Sequence, residues 1–135
     1  MSSAGVDLAY VQATHDGVEE AVERVQTELK RRGFGVLANL PVHAIIKEKT
    51  GASIDPIVIL EVCSPPHALR ALETSPSAAL LLPCKIVVSR EAGTTRLALA
   101  RPTVLLGKFL PVEGLAALGA EVERQLTEAL DAARR

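Results

Sequence analysis

Between Ile57 and Cys63 the chain runs Ile-Val-Ile-Leu-Glu-Val-Cys, nearly all apolar and largely β-branched. Such a run reads as a strand buried on both faces. A second apolar run, Ile86-Val87-Val88, follows Leu81-Leu82-Pro83-Cys84-Lys85. Between the two lies a helical segment opened by Pro65-Pro66, where a missing N–H costs nothing. The unit is strand–helix–strand, with Cys63 closing the first strand and Cys84 opening the second. If those strands are antiparallel neighbours, the two cysteines meet at one end of the sheet. If they are parallel, the cysteines lie at opposite edges. We expect them to be neighbours.

The remaining composition bounds what such a unit belongs to. At 135 residues the chain is expected to be one domain, 1–135, able to bury a core without disulfide or metal staples. The hydrophobic fraction of 48% is high, yet no run approaches the roughly 20 apolar residues of a membrane span. Met1-Ser-Ser-Ala-Gly carries no basic stretch followed by an apolar one, so no secretory signal is read and a cytoplasmic location is expected. The apolar surplus points to a subunit interface rather than a membrane. Net charge is −1 with acids and bases interspersed, and Tyr10, Phe34 and Phe109 are the only aromatics. Nucleic-acid binding asks for a basic stripe and stacking rings, and is not expected. Two cysteines in a reducing compartment are expected as free thiols.

Val6–Ala13 reads as an inner strand, apolar on both faces. Thr14 is placed as the cap of a helix in which Val18, Ala21, Val22, Val25 and Leu29 recur at helical spacing. Lys30, Arg31 and Arg32 fill its last turn and Gly33 ends it. Phe34–Pro41 is a second strand and Val42–Lys49 a short helix stopped at Gly51. After Ile57–Cys63, Ala68, Leu69, Ala71 and Leu72 give the next helix an apolar stripe, and Ser75 caps a further turn. Lys85–Arg90 and Thr94–Arg101 form a hairpin across Glu91-Ala92-Gly93. Thr103–Leu110 has no period that assigns it. Pro111 opens a last helix with Leu115, Leu118, Val122, Leu126, Ala129, Leu130 and Ala133 on one face and Glu121 and Gln125 on the other.

The order β-α-β-β-α-β-β-α, with a short helix after the second strand, defines an α+β chain. It implies a single, mainly antiparallel sheet with helices on one face. The bare face then asks for a partner, and a homodimer is the expectation.

No phosphate-binding, nucleophile-elbow or zincin motif is present, and the cysteines are not in a C-x-x-C pair. The candidate site is therefore Cys63 and Cys84 with their neighbours Glu61, Ser64, His67 and Lys85. Glu61 is the single charge in its strand. Cys63 precedes a helix N-terminus, a position that favours a thiolate, and is the better nucleophile or ligand of the pair. Lys85 follows Cys84 but points to the opposite face. Cys63, His67 and Cys84 together offer three soft ligands, short of the four of a structural metal site. No resident metal or cofactor is assigned. The alternative is that both cysteines are only small buried hydrophobes.

Several of these stretches resemble one family. They are Gly33-Phe34-Gly35-Val36-Leu37, Ile46-Lys47-Glu48-Lys49-Thr50-Gly51, Cys63-Ser64-Pro65 with Ala68, Ala71 and Leu72, and Leu81-Leu82-Pro83-Cys84 with Ile86-Val87-Val88. In this order they are similar to the Domain of Unknown Function 302 family, over about residues 6–130. The resemblance implies a small α+β domain, dimeric, in a class near the TATA-box-binding-protein-like folds, which does not itself imply DNA binding. The family pattern has Asn after each cysteine, where this chain has Ser64 and Lys85. It has Gly where Glu61 stands, and Asp-Pro where Arg101-Pro102 stands. The resemblance supplies a site but no activity.

Together these features describe a cytoplasmic homodimeric domain with a cysteine-lined site that binds a small molecule or senses redox state. The second reading is a structural or interaction module with cysteines as packing. The third is an enzyme with Cys63 as nucleophile, for which no base stands at a recognisable spacing.

Overall fold

The computed structural model describes residues 7–134. Five strands form one sheet in the order β1-β5-β4-β3-β2: β1 (Ala9–Thr14), β2 (Gly35–Pro41), β3 (Ile57–Cys63), β4 (Cys84–Glu91) and β5 (Thr94–Ala100). Every neighbouring pair is antiparallel. Period-2 alternation divides the sheet into two faces. Val58, Leu60 and Val62 of β3, Ile86 and Val88 of β4, and Leu97 and Leu99 of β5 are buried on one face.

Two helices cover that face. In α1 (Val18–Arg31) the buried residues are Val18, Ala21, Val22, Val25 and Leu29, the five that the helical period selects. In α5 (Leu115–Ala133) all seven expected positions are buried, together with Gly119. The two helices and the sheet share one core.

Beyond the end of the sheet where β3 stops and β4 starts lies a second layer. It comprises α3 (Pro65–Thr74), a 3-10 turn (Pro76–Leu80), the short α4 (Pro102–Leu105) and the first turns of α5. Ala71, Ala78, Leu106, Leu115 and Leu118 form a separate core there. The unassigned stretch Thr103–Leu110 thus belongs partly to α4 and partly to the turns after it. Helix α4 sits hard against α5: a Cβ on Gly119 would stand 2.9 Å from the Pro102 carbonyl oxygen.

Several expectations are corrected. Strand β1 is an edge strand, not an inner one, and Val6, its expected first residue, lies outside the described residues. Thr14 does not cap α1; it is the last residue of β1, and Gly17 is the N-cap. Helix α5 begins at Leu115 rather than Pro111, after Gly114 at φ 94°. On α3 only Ala71 is buried, while Leu69 is 58% exposed, because the helix packs across the sheet end on one narrow stripe. Strand β3 is covered on one face and half-buried on the other, so the apolar run reflects an open apolar face rather than helices on both sides. Helix α2 (Val42–Thr50) has no buried residue at all. The hairpin lies where expected, but Glu91 belongs to β4 and pairs with Thr94, so the loop is Ala92 and Gly93 alone. Ala92 and Gly93 both have positive φ, the pairing that lets a two-residue loop follow the sheet's twist.

The bare face is apolar in a continuous row. Register places Val11 beside Ala98, Ala98 beside Val87, Val87 beside Ile59, and Ile59 beside Leu40, one residue from each strand.

Candidate functional site

At the seam between the two cores is a cavity of about 30 Å³, room for one or two water-sized guests. Its walls are mostly hydrocarbon, contributed by Phe34, Val62, Leu106, Leu118 and Val122 among others. Cys63, Ser64, His67 and Cys84 line it as well. The topology explains the meeting. Strands β3 and β4 are antiparallel neighbours with Val62 opposite Cys84, so Cys63 is one residue off the register. Paired Cα atoms lie about 5 Å apart and successive ones about 3.8 Å, which puts the two cysteine Cα atoms on the order of 6 Å apart. Both thiols are free. Cys84 projects to the helix-covered face and is 9% exposed; Cys63 is half-buried where the strand turns into α3.

A chain of hydrogen bonds forms the polar side. Ser64 is the N-cap of α3, and its hydroxyl lies 2.7 Å from His67 Nδ1. His67 Nε2 lies 3.3 Å from Glu121 Oε1 on α5, and Arg70 Nη1 donates to Glu121 Oε2 at 3.2 Å. This pattern suits the tautomer in which Nδ1 accepts from Ser64 and Nε2–H donates to Glu121. The imidazole stacks on Phe34, with centroids 6.0 Å apart and planes 9° from parallel. The His67 hydrogen bond, helped by Arg70, holds the Glu121 carboxyl below its usual range.

Serine, histidine and glutamate in sequence invite a hydrolase reading, and the helix argues against it. A nucleophilic serine needs N–H donors aimed at the developing oxyanion. The first residues of α3, Pro65 and Pro66, have none to give. The chain of bonds instead ties α3 to α5 across the cavity and holds His67 in place.

The same prolines overturn the expected activation of Cys63. A helix N-terminus lowers a thiol pKa through its free N–H groups, and here two of them are missing. Burial instead raises the Cys63 pKa. Cys84 is pushed up to about 11, first by burial and then by the negative charge that Cys63 and Glu61 would bring nearby. Both thiols are protonated at neutral pH.

Four of the six expected site residues therefore meet at one cavity. The other two, Glu61 and Lys85, do not line it. They are cross-strand partners whose side chains form an ion pair on the bare face of the sheet. Glu61 Oε2 is buried there without a hydrogen-bond partner. Glu121 was missed, since the periodicity of α5 turns it away from the sheet. The surface it faces belongs to α3, which no pattern within α5 reveals. Among the described residues no three His, Cys, Asp or Glu side chains are grouped to hold a metal, so the Cys63–His67–Cys84 trio is not assembled as a three-ligand site. Nor, among the described residues, is any helix long and apolar enough to cross a membrane.

Fold and site together define a small α+β domain, an antiparallel sheet backed by two helices, with a cavity between two cysteine residues and α5 at the sheet's end. The chain belongs to the family described as Domain of unknown function DUF302, whose model matches residues 10–133. It is similar to a solved structure, the uncharacterized conserved protein DUF302 from Bacillus stearothermophilus, at 37% identity and a TM-score of 0.90. The match covers 96% of this chain and 100% of that one. No curated protein matches the chain.

Proposed function

We propose that the chain is a binding domain whose ligand site is the seam cavity, taking a guest of very few heavy atoms beside Cys63 and Cys84. The observation that carries this reading is the convergence of Cys63, Ser64, His67 and Cys84 on one otherwise apolar cavity. Redox sensing fits less well, because a sensor thiol reacts as the thiolate and both pKa values are raised. The test is titration with methanethiol followed by amide NMR. Chemical-shift changes are expected at Cys63, Ser64, His67, Cys84 and Leu118, and should vanish when Ala71→Val fills the cavity from α3. Changes spread over the surface, or unaltered in the filled variant, would sink the reading.

A second reading concerns assembly and rests on the bare face. We propose that two copies pair through the row Val11, Ala98, Val87, Ile59 and Leu40, an apolar stripe that crosses all five strands. A specific interface of this kind buries more than about 1,000 Å² in total. Sedimentation at micromolar concentration should give a dimer, and Val87→Glu a monomer. A wild-type monomer would count against the pairing.

A further inference from the structure

A second cavity, of about 840 Å³, lies on the helix-covered side of the sheet, between α1 and the corner where β2 turns into α2. Its volume is that of a small-molecule site. We propose that it binds a linear aliphatic polyamine, with ammonium groups on Glu19 and Glu23 and the methylene chain on an apolar floor. It shares no lining residue with the seam cavity, so the two sites stand or fall separately.

The floor is the main core seen from outside. Val18, Val22 and Val58 line the cavity and keep 6–7% exposure, while Val25, Leu29 and Leu60 of the same core are wholly buried. Pro41 and Pro56 extend this apolar surface. Helix α2 forms the far wall without burying any residue of its own. His43 ties that wall to β3, its Nδ1 accepting from the Ile57 N–H at 3.1 Å.

The near wall is negative. At 3.6 residues per turn Glu19, Glu23 and Gln26 fall within about 60° of one another, on the flank of α1 beside Val22. The ion pairs of α1 are Arg24–Asp16, Arg31–Glu28 and Arg32–Glu28, and among the described residues Glu19, Glu20 and Glu23 have none. Glu19 and Glu20 are in the first turn, where negative charge suits the helix dipole. Glu23 lies beyond that turn and four residues from Glu19, a spacing at which like charges repel. A bound cation removes that repulsion.

The lining then selects the cation. Among the described residues no Lys or Arg faces the cavity to hold an anion, and no Phe, Tyr or Trp supplies the ring faces that a quaternary ammonium needs. Nor are three His, Cys, Asp or Glu side chains grouped there to hold a metal ion. What fits is charge distributed along an apolar body. Glu19 and Glu23 are separated by about 6 Å along the helix axis, about the reach of a three- or four-carbon spacer between amines. The cavity is on the side of the sheet away from the apolar row proposed for pairing, so each copy of a dimer presents it.

The experiment titrates spermidine into the full chain at physiological ionic strength and follows the amides by NMR. Saturable shifts are expected at Glu19, Glu23, Gln26, Asn39 and His43, fitting a single site. Glu19→Gln combined with Glu23→Gln should weaken binding by roughly tenfold or more, the loss expected for charge-assisted hydrogen bonds. Glu73→Gln combined with Glu113→Gln removes the same charge from exposed positions of the outer layer and should leave the affinity unchanged. Ala44→Arg, at an exposed position of the far wall, places a competing cation in the cavity and should abolish binding. It decides the question if the Glu19 and Glu23 variant fails to fold. Absence of saturable shifts, equal weakening in the two double variants, displacement by magnesium at matched ionic strength, or binding unaltered in Ala44→Arg would each overturn the site.

Discussion

Raising the pH asks directly how tightly the core holds the Cys84 proton. Its thiol is pushed from an ordinary value of 9.0 to about 11, chiefly by burial. That rise corresponds to roughly 3 kcal/mol between the protonation states. Below about pH 9 the thiol is protonated in both folded and unfolded chains, so its burial takes nothing from stability there. As the pH rises from about 9 through 11 the unfolded chain ionises first, and the folded state loses that roughly 3 kcal/mol. The assay is a series of urea unfolding curves between pH 8 and 11 on wild type and Cys84→Ala. Tyr10 has a raised pKa from its bond to Asp131 and titrates in the same window with the same sign. Only the difference between the two proteins therefore isolates Cys84. Wild type should lose about 2 kcal/mol more than the variant by pH 11, the remainder of the roughly 3 kcal/mol going only above it. Parallel curves would refute the claim that burial controls this thiol.

Three other outcomes are expected. Alkylation by iodoacetamide at pH 7 should be slow at both cysteines and slower at Cys84, which is the more buried; rapid labelling of either would contradict the raised pKa values. Leu126→Ala, at a fully buried position of α5, should cost about 2–5 kcal/mol in chemical unfolding, and a loss under about 1 kcal/mol would mean that α5 docks loosely. Gly119→Ala gains up to about 1 kcal/mol of helix propensity, yet its Cβ would meet the Pro102 carbonyl oxygen at 2.9 Å. Crowding of about 1–3 kcal/mol should win, so the variant should be less stable than wild type by thermal melt, and a gain in stability would show that α4 moves aside freely.

Where one face of an element meets one partner, its sequence already contains the answer. The five buried positions of α1 and the seven of α5 follow from a period of 3.6 against a sheet. Strand β3 could be bounded by its β-branched composition alone. Apolar residues mislead where the surface they form is bare. Val11 and Ala13 made β1 look internal, although they face the open side of an edge strand. The same effect hid the difference between the two sides of β3. The candidate site was legible as a set of residues near two cysteines, because both cysteines end strands. Its geometry was not. That Cys63 and Cys84 meet depends on β3 and β4 being antiparallel neighbours, and that Glu121 joins them depends on where α3 packs. Both are relations between elements far apart in the chain. The thiol electrostatics were misread for a local reason: two prolines remove the N–H groups on which a helix N-terminus depends.

The seam between the two cores also bears on kinetics. Residues of the outer layer, from α3 through the 3-10 turn and α4, share few buried side chains with the sheet. They are held to α5 by the Ser64–His67–Glu121 chain and by the close contact at Gly119. A layer attached in this way opens at a lower free energy than the sheet and its two long helices unfold. The cavity lies between that layer and the main core, so on the proposed reading of it as a ligand site a guest would enter and leave by local opening while the main core stays folded. On that reading the rate of exchange would be set by how often the outer layer lifts, and substitutions in α3 or α4 that touch no guest would change it.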